Sequence, residues 1–202
     1  MPGTNTSPPP VSIWLATLPQ ADLRLRRCLD ARESERFESF ESPADRARFL
    51  LGAAMLRAAV GQALDLQPEA VIVDRTCEEC GRWHGRPRVP GSSLELSVSH
   101  SGLLVALAMA VGSPVGIDVQ RIREGCDGAQ WTREEARFKA GSDARLAVRD
   151  VPTPLPGHVV SVATEPHAQL LVRPAETLIA GQGPTLHPVA DVAPSAEGAG
   201  LR

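Results

Sequence analysis

The sequence predicts a mixed fold, α/β or α+β in class, and three observations lead there. Residues 11–18, VSIWLATL, alternate as a half-buried strand does. Residues 94–120, LELSVSHSGLLVALAMAVGSPVGIDVQ, read as two or three further strands, broken at Ser101-Gly102 and at Gly112-Ser113-Pro114. Stretches with helical spacing lie between these regions and again after the second. With 202 residues, 43% of them hydrophobic, the chain is long enough for one compact unit or for two small halves sharing an interface.

Taken in order, MPGTNTSPPP is polar and proline-rich, and residues 1–10 are expected to be flexible. After the first strand, Leu23 to Phe40 is a charge-rich helical stretch with arginines at 24, 26, 27, 32 and 36. Ser42-Pro43-Ala44-Asp45 then has the chemistry of a helix start: an N-cap hydroxyl, proline at the first helical position and an acid at the third. Phe49, Ala53, Leu56 and Val60 continue that helix as an apolar stripe to about Leu64. Ala70 to Asp74 is a short strand, and TCEECGRWHGRPRVPGSS a loop. In the strand at 115–120, Val115, Ile117 and Val119 share one face and Gly116, Asp118 and Gln120 the other, so Asp118 and Gln120 can aim at one ion. Trp131 to Ala140 suits a helix, with Lys139 one turn beyond Glu135. Pro152 to Pro156 breaks the chain, 158–163 and 168–173 suggest a last hairpin, and 179–202 is a tail rich in Gly, Pro and Ala.

Charge and composition narrow the function. The net charge of −3 comes from 21 basic and 24 acidic residues interspersed along the chain, so no basic run points to nucleic acid or a membrane surface. No apolar run approaches the roughly 18 residues of a membrane span. The N-terminus lacks the charged start and apolar core of a secretion signal, so Cys28, Cys77, Cys80 and Cys126 are expected as reduced thiols in a cytoplasm. Lys139 is the only lysine among the 21 basic residues. A GC-rich genome accounts for such a bias, yet an ammonium can be moved and titrated as a guanidinium cannot.

Each candidate residue also has a bland reading. Asp118 can simply end a strand, Glu135 and Lys139 can be a surface pair, and His100 can be a structural hydrogen-bonder. Cys77-x-x-Cys80 followed by His84 has the ligand types of a zinc site but lacks a fourth ligand.

The combination and its order are more specific. CEECGRWHGRP, then SVSHS, then GIDVQ, then WTREEARFK resembles, motif by motif, the 4'-phosphopantetheinyl transferases of the surfactin-synthetase-activator type. The resemblance extends upstream to Asp45-Arg46-Ala47-Arg48-Phe49-Leu50 through Arg57 and spans roughly residues 12 to 175. It implies two pseudo-symmetric halves, each a small sheet backed by helix, here 11–112 and a shortened 113–178, with coenzyme A between them. The implied reaction moves the 4'-phosphopantetheine arm of coenzyme A to a serine of an acyl or peptidyl carrier protein, with Mg2+ as cofactor, in a cytoplasmic monomer of secondary metabolism.

The resemblance assigns residues as well. Asp118, Gln120 and Glu135 match the metal-facing positions, Glu135 also as the base for the serine, and Lys139 matches the lysine that meets the pyrophosphate. Ser99 and His100 match the pair that touches coenzyme A phosphates, with Arg86 beside them. Arg48, with Arg32 or Arg36, matches the 3'-phosphate position. The CxxCGxxH spacing occurs in this family without implying a metal, which leaves the cysteines to shape the nucleotide loop.

Four departures bear on activity. Gln120 stands where the family has a glutamate, Glu134 replaces a lysine, Gly141-Ser142-Asp143 replaces the glycine-rich end of the helix, and only ten residues, Arg121 to Gln130, join Gln120 to Trp131 where relatives have a few dozen. The shortening is expected to affect carrier binding more than coenzyme A binding, and it bears on where Glu135 sits. The alternatives are therefore a degenerate, non-catalytic coenzyme A binding homologue and a zinc-containing interaction module.

Overall fold

The structure, a computed structural model, describes residues 8–122 and 127–179. Most of the expected flexible N-terminus, Cys126 with the middle of the 121–130 connection, and the tail from 180 on lie outside the described residues. The chain has a mixed α/β architecture, several small sheets backed by helices.

The first sheet has strand order β4-β5-β1-β9, formed by β1 (Val11–Thr17), β4 (Leu94–Ser101), β5 (Leu104–Val111) and β9 (Leu170–Pro174). Its alternation separates two cores. Trp14, Ala16, Leu96, Val105 and Leu107 face helix α2 (Pro43–Leu64), and Val11, Ile13, Leu15, Leu104, Ala106 and Ala108 face a second sheet. That sheet has the order β6-β8-β7, from β6 (Val115–Arg121), β7 (Ala147–Asp150) and β8 (His158–Thr164). Val115, Ile117 and Val119 fill the inter-sheet core, as the strand period requires. On the outer side, Ala136 of α3 (Gly128–Lys139) and Ala140, which caps its C-terminus, meet Leu146 and Ala163. The layers therefore run helix, sheet, sheet, helix. A separate two-stranded hairpin is formed by β2 (Asp74–Thr76) and β3 (Trp83–Arg88), and β3 packs beside β4.

Helix α2 begins as expected, with the Ser42 hydroxyl accepting from the Asp45 amide at 3.4 Å. It is buried at every position from Leu50 to Gly61, a wider contact than one stripe. The reason is a second wall opposite the sheet, where Arg57, 1% exposed, donates to Glu33 and to Asp30 at 2.6 Å each and to the Val71 carbonyl at 2.6 Å. By length and composition α2 could cross a membrane, but 67% of that window is buried in this core.

Several elements differ from expectation. Leu23 to Phe40 is not one helix: a 3-10 segment at Leu23–Cys28 is followed by α1 at Ala31–Ser39, because Asp22 and Asp30 each cap a new start. The expected strand at 70–74 is displaced by a 3-10 turn at Pro68–Ala70, and pairing begins only at Asp74. The expected terminal hairpin does not form. β8 pairs with β6 and β7, whereas β9 runs parallel to β1, so the last strand and α4 (Glu176–Ile179) complete the first sheet and its core.

Candidate active site

β4 and β6 are edge strands of different sheets, and each would leave ladder groups unpaired. The motif SVSHS resolves this for β6. The hydroxyls of Ser97, Ser99 and Ser101 accept from the amides of Ile117, Val119 and Arg121 at 3.0, 3.1 and 3.1 Å. The period of two on both strands makes the register self-consistent, and it places Asp118 beside Ser99.

Asp118 is 3% exposed. Its Oδ1 accepts from Ser99 Oγ at 2.8 Å and from Lys139 Nζ at 2.6 Å, and its Oδ2 accepts from Gln120 Nε2 at 2.9 Å. Lys139 Nζ also donates to Ser99 Oγ at 3.0 Å, so that hydroxyl gives its one proton and fills both lone pairs. Ser99 thus belongs to the acid's surroundings. The buried carboxylate is paired with a cation, the chain's only lysine.

Helix α3 brings that lysine in by an unusually close approach. A Cβ on Gly116 would lie 2.1 Å from the Ala136 carbonyl oxygen and 2.5 Å from the Ala140 nitrogen, so only glycine lets the helix lie directly on β6. Side chains on a helix lean toward its N-terminus, which lets Lys139 reach back to Asp118. Glu135 is half-buried one turn earlier and has no hydrogen bond or ion pair among the described residues.

A second group of cations lines a neighbouring cleft bounded by Arg36, Arg48, Phe49, Arg75, Trp83 and His100. Arg48 Nε donates to the Gly102 carbonyl at 2.8 Å, and its terminal nitrogen pairs with Asp45. Arg36 lies over Phe40 and Phe49 at 5.8 and 5.9 Å, and Arg32 and Arg75 lie over the Trp83 ring at 5.7 and 5.9 Å. Arg32, Arg36 and Arg75 form no ion pair within contact distance among the described residues, although Arg75 lies in the field of Glu33 and Asp30. Arg75 is the residue that the sequence reading missed: its Nε is buried without a partner, and burial pulls its pKa below the usual arginine value. The only signal was its place two residues before the Cys-x-x-Cys turn.

His100 follows Ser99 and points to the opposite side of β4. Its ring touches solvent, but loss of hydration in the cleft, then the charges of Arg48 and Lys139, lower its pKa below the ordinary histidine value. The cleft, about 140 Å3, shares the walls Arg75 and His84 with a groove of about 740 Å3 that runs past Arg86, Ser97 and Phe138 to Lys139. Small-molecule sites occupy roughly 300–1,000 Å3, so the cleft suits one phosphate-sized group and the groove a larger moiety. Arg86 is less available than expected. It spans the sheets by donating to the Leu96 and Val115 carbonyls at 3.1 and 3.0 Å and pairs with Glu95 at 2.7 Å.

The arrangement sets a buried carboxylate, paired with a lysine, beside an arginine-lined recess. No curated protein matches the chain with significance. Residues 13–112, from β1 through β5, match the family model described as 4'-phosphopantetheinyl transferase, N-terminal. That span carries Arg48, Arg75, Ser99 and His100, and the match supports membership of the 4'-phosphopantetheinyl transferase superfamily.

Proposed function

We propose that the protein transfers the 4'-phosphopantetheine arm of coenzyme A to a serine of an acyl or peptidyl carrier protein, in a magnesium-dependent reaction. The observation that carries this reading is the continuity of the groove from Lys139, beside Asp118, to the arginines around Trp83. A pyrophosphate at one end and a 3'-phosphate at the other match these two charged stations. Arg48 and Arg36, with Arg75, would hold the 3'-phosphate through guanidinium hydrogen bonds.

The residues fit a magnesium ion because the fold already seats a cation against Asp118, with Gln120 on the same strand face and the unengaged Glu135 on the adjoining helix. Magnesium takes hard oxygen ligands and would neutralise pyrophosphate charge when bound there. Lys139 would then turn from Asp118 to the phosphate oxygens and steady the leaving group. In the transfer, the serine oxygen bonds to the phosphorus that bears the pantetheine arm, and the bond from that phosphorus to the bridging oxygen breaks. Adenosine 3',5'-bisphosphate leaves with that electron pair, and Glu135 accepts the serine proton.

The second reading is a non-catalytic coenzyme A binding homologue. It is favoured by the neutral Gln120 beside Asp118 and by the lysine that fills Asp118's cation position. Incubating the protein with coenzyme A, magnesium and a panel of carrier proteins, then weighing the carriers intact, separates the two. Carriers heavier by one phosphopantetheine arm support transfer, and unmodified carriers alongside calorimetric binding of coenzyme A support the second reading.

A further inference from the structure

The hairpin β2–β3 is short and is paired to neither of the larger sheets. Its register shifts between Asp74 and Thr76, and isolated two-stranded hairpins are marginal in water. Yet it carries Arg75, Trp83 and Arg86 of the cleft and groove. Arg86 anchors β3 to both sheets, which leaves the turn joining the two strands to be held locally.

The turn that closes it is Cys77-Glu78-Glu79-Cys80-Gly81-Arg82. The Gly81 amide donates to the Cys77 carbonyl at 2.8 Å, and the Cys77 amide donates to the Arg82 carbonyl at 2.8 Å. Gly81 has φ of 69°, the left-handed conformation that glycine adopts without strain, and the chain there curls so that both sulfurs fall on one side. β3 then returns His84 to the same side. Cys80 Sγ and His84 Nε2 are 3.0 Å apart, and the ligand atoms of Cys77, Cys80 and His84 all lie within 4.8 Å of one another. Tetrahedral zinc, with bonds of about 2.3 Å to sulfur and about 2.0–2.1 Å to nitrogen, separates its ligand atoms by distances of this order.

We propose that Cys77, Cys80 and His84 form a zinc site that clamps the β2–β3 hairpin, with the fourth coordination position open to water or an incoming donor. Binding converts both thiols to thiolates and releases their protons to solvent, while neutral His84 supplies the Nε2 lone pair and keeps its proton on Nδ1. Two thiolates balance the dication, so the site is neutral overall. The donor set is soft, unlike the oxygen donors around Asp118, and this distinguishes a zinc position from a magnesium position within one chain. Glu78, between the cysteines, is engaged elsewhere, in an ion pair with Arg88 at 2.7 Å.

The probe is the metal alone, Zn2+ or Co2+, added to the reduced full-length protein without oxygen and followed by desalting. Stoichiometric zinc retention, and a thiolate-to-cobalt charge-transfer band with the strong visible absorption of a tetrahedral ion, are the expected results. Cys77→Ser and Cys80→Ser should each weaken the band and lose zinc on desalting, His84→Gln should shift the cobalt spectrum, and Cys28→Ser should leave all of these unchanged. If a cysteine variant fails to fold, His84→Gln in folded protein decides. Wild-type protein that binds no zinc, a cobalt spectrum without sulfur bands, or a spectrum indifferent to His84→Gln would overturn the proposal. So would a reduced protein whose mass reverts to a Cys77–Cys80 disulfide in the presence of zinc. None of these readouts requires transfer activity, so the outcome stands apart from that of the carrier assay.

Discussion

Asp118 and Lys139 carry the residue-scale argument. Their contact of 2.6 Å joins an almost wholly buried carboxylate to a partly covered ammonium. Lys139→Ala removes the cation and leaves Asp118 with Ser99 and Gln120 as donors, so stability should fall by about 1–3 kcal/mol, the usual cost of a buried acceptor short of a partner. If the position accepts magnesium, millimolar Mg2+ should recover part of that loss in the variant and do little for the wild type. Urea unfolding with and without magnesium reads both, and a variant insensitive to the ion would remove Asp118 from the metal site. His100 gives a pH prediction. Its folded pKa lies below its ordinary value, so it is neutral at pH 7, and the stability tied to its neutral form is lost as pH falls from near 6.5 through the folded value. A phosphate bound in the cleft supplies the opposite field and should raise that pKa. An NMR titration of His100 should therefore show a low value alone and a higher one with coenzyme A, whereas an unmoved value would place the nucleotide elsewhere. The pairing of Asp118 and Gln120 on one strand face was legible in the alternation of GIDVQ. That Ser99 serves Asp118 was not, because the contact joins strands 19 residues apart.

At the scale of elements, one glycine fixes how α3 meets β6. A methyl group at position 116 would overlap the backbone of Ala136 and Ala140, and backbone cannot rotate aside as a side chain can. Gly116→Ala should cost about 1–3 kcal/mol, the range of core overpacking, and should also weaken the reach of Lys139 to Asp118. Wild-type stability in chemical unfolding of that variant would mean that the helix rides higher on the strand. Periodicity made the long elements legible: β1, α2 and the run of β4, β5 and β6 begin and end near the places their patterns indicate. The segment from Thr76 to Ser93 has the composition of a loop, yet it contains β3, whose WHGRPR lacks both alternation and β-branched residues. Its pairing comes from the Cys77 to Arg82 turn rather than from propensity. The break at Leu29 was hidden because the arginine-rich sequence continues across it, while Asp30 and Glu33 together form a capping box that restarts the helix.

For the whole molecule, the governing fact is that one core lies between the two sheets, so neither half has a complete interior. The family match ends at residue 112, but that boundary cuts through this core. A chain stopping there would expose Val11, Ile13, Leu15, Leu104, Ala106 and Ala108, now covered by Val115, Ile117, Val119, Val160 and Val162. It would also lose β9, which pairs with β1, and Ala175 and Leu178, which close the core around α2. Parallel pairing between strands at opposite ends of the chain leaves no local mark, which is why the sequence suggested a terminal hairpin instead. A fragment of residues 8–112 should therefore keep helical circular dichroism from α2 while lacking a cooperative unfolding transition, and should bind a hydrophobic dye and associate, as exposed apolar patches larger than a few hundred Å2 do. Residues 8–179 should unfold cooperatively at the wild-type midpoint. A cooperatively folded, monomeric 8–112 fragment would mean that the first sheet and α2 form an independent domain, and that the inter-sheet core is a docking surface rather than a shared interior.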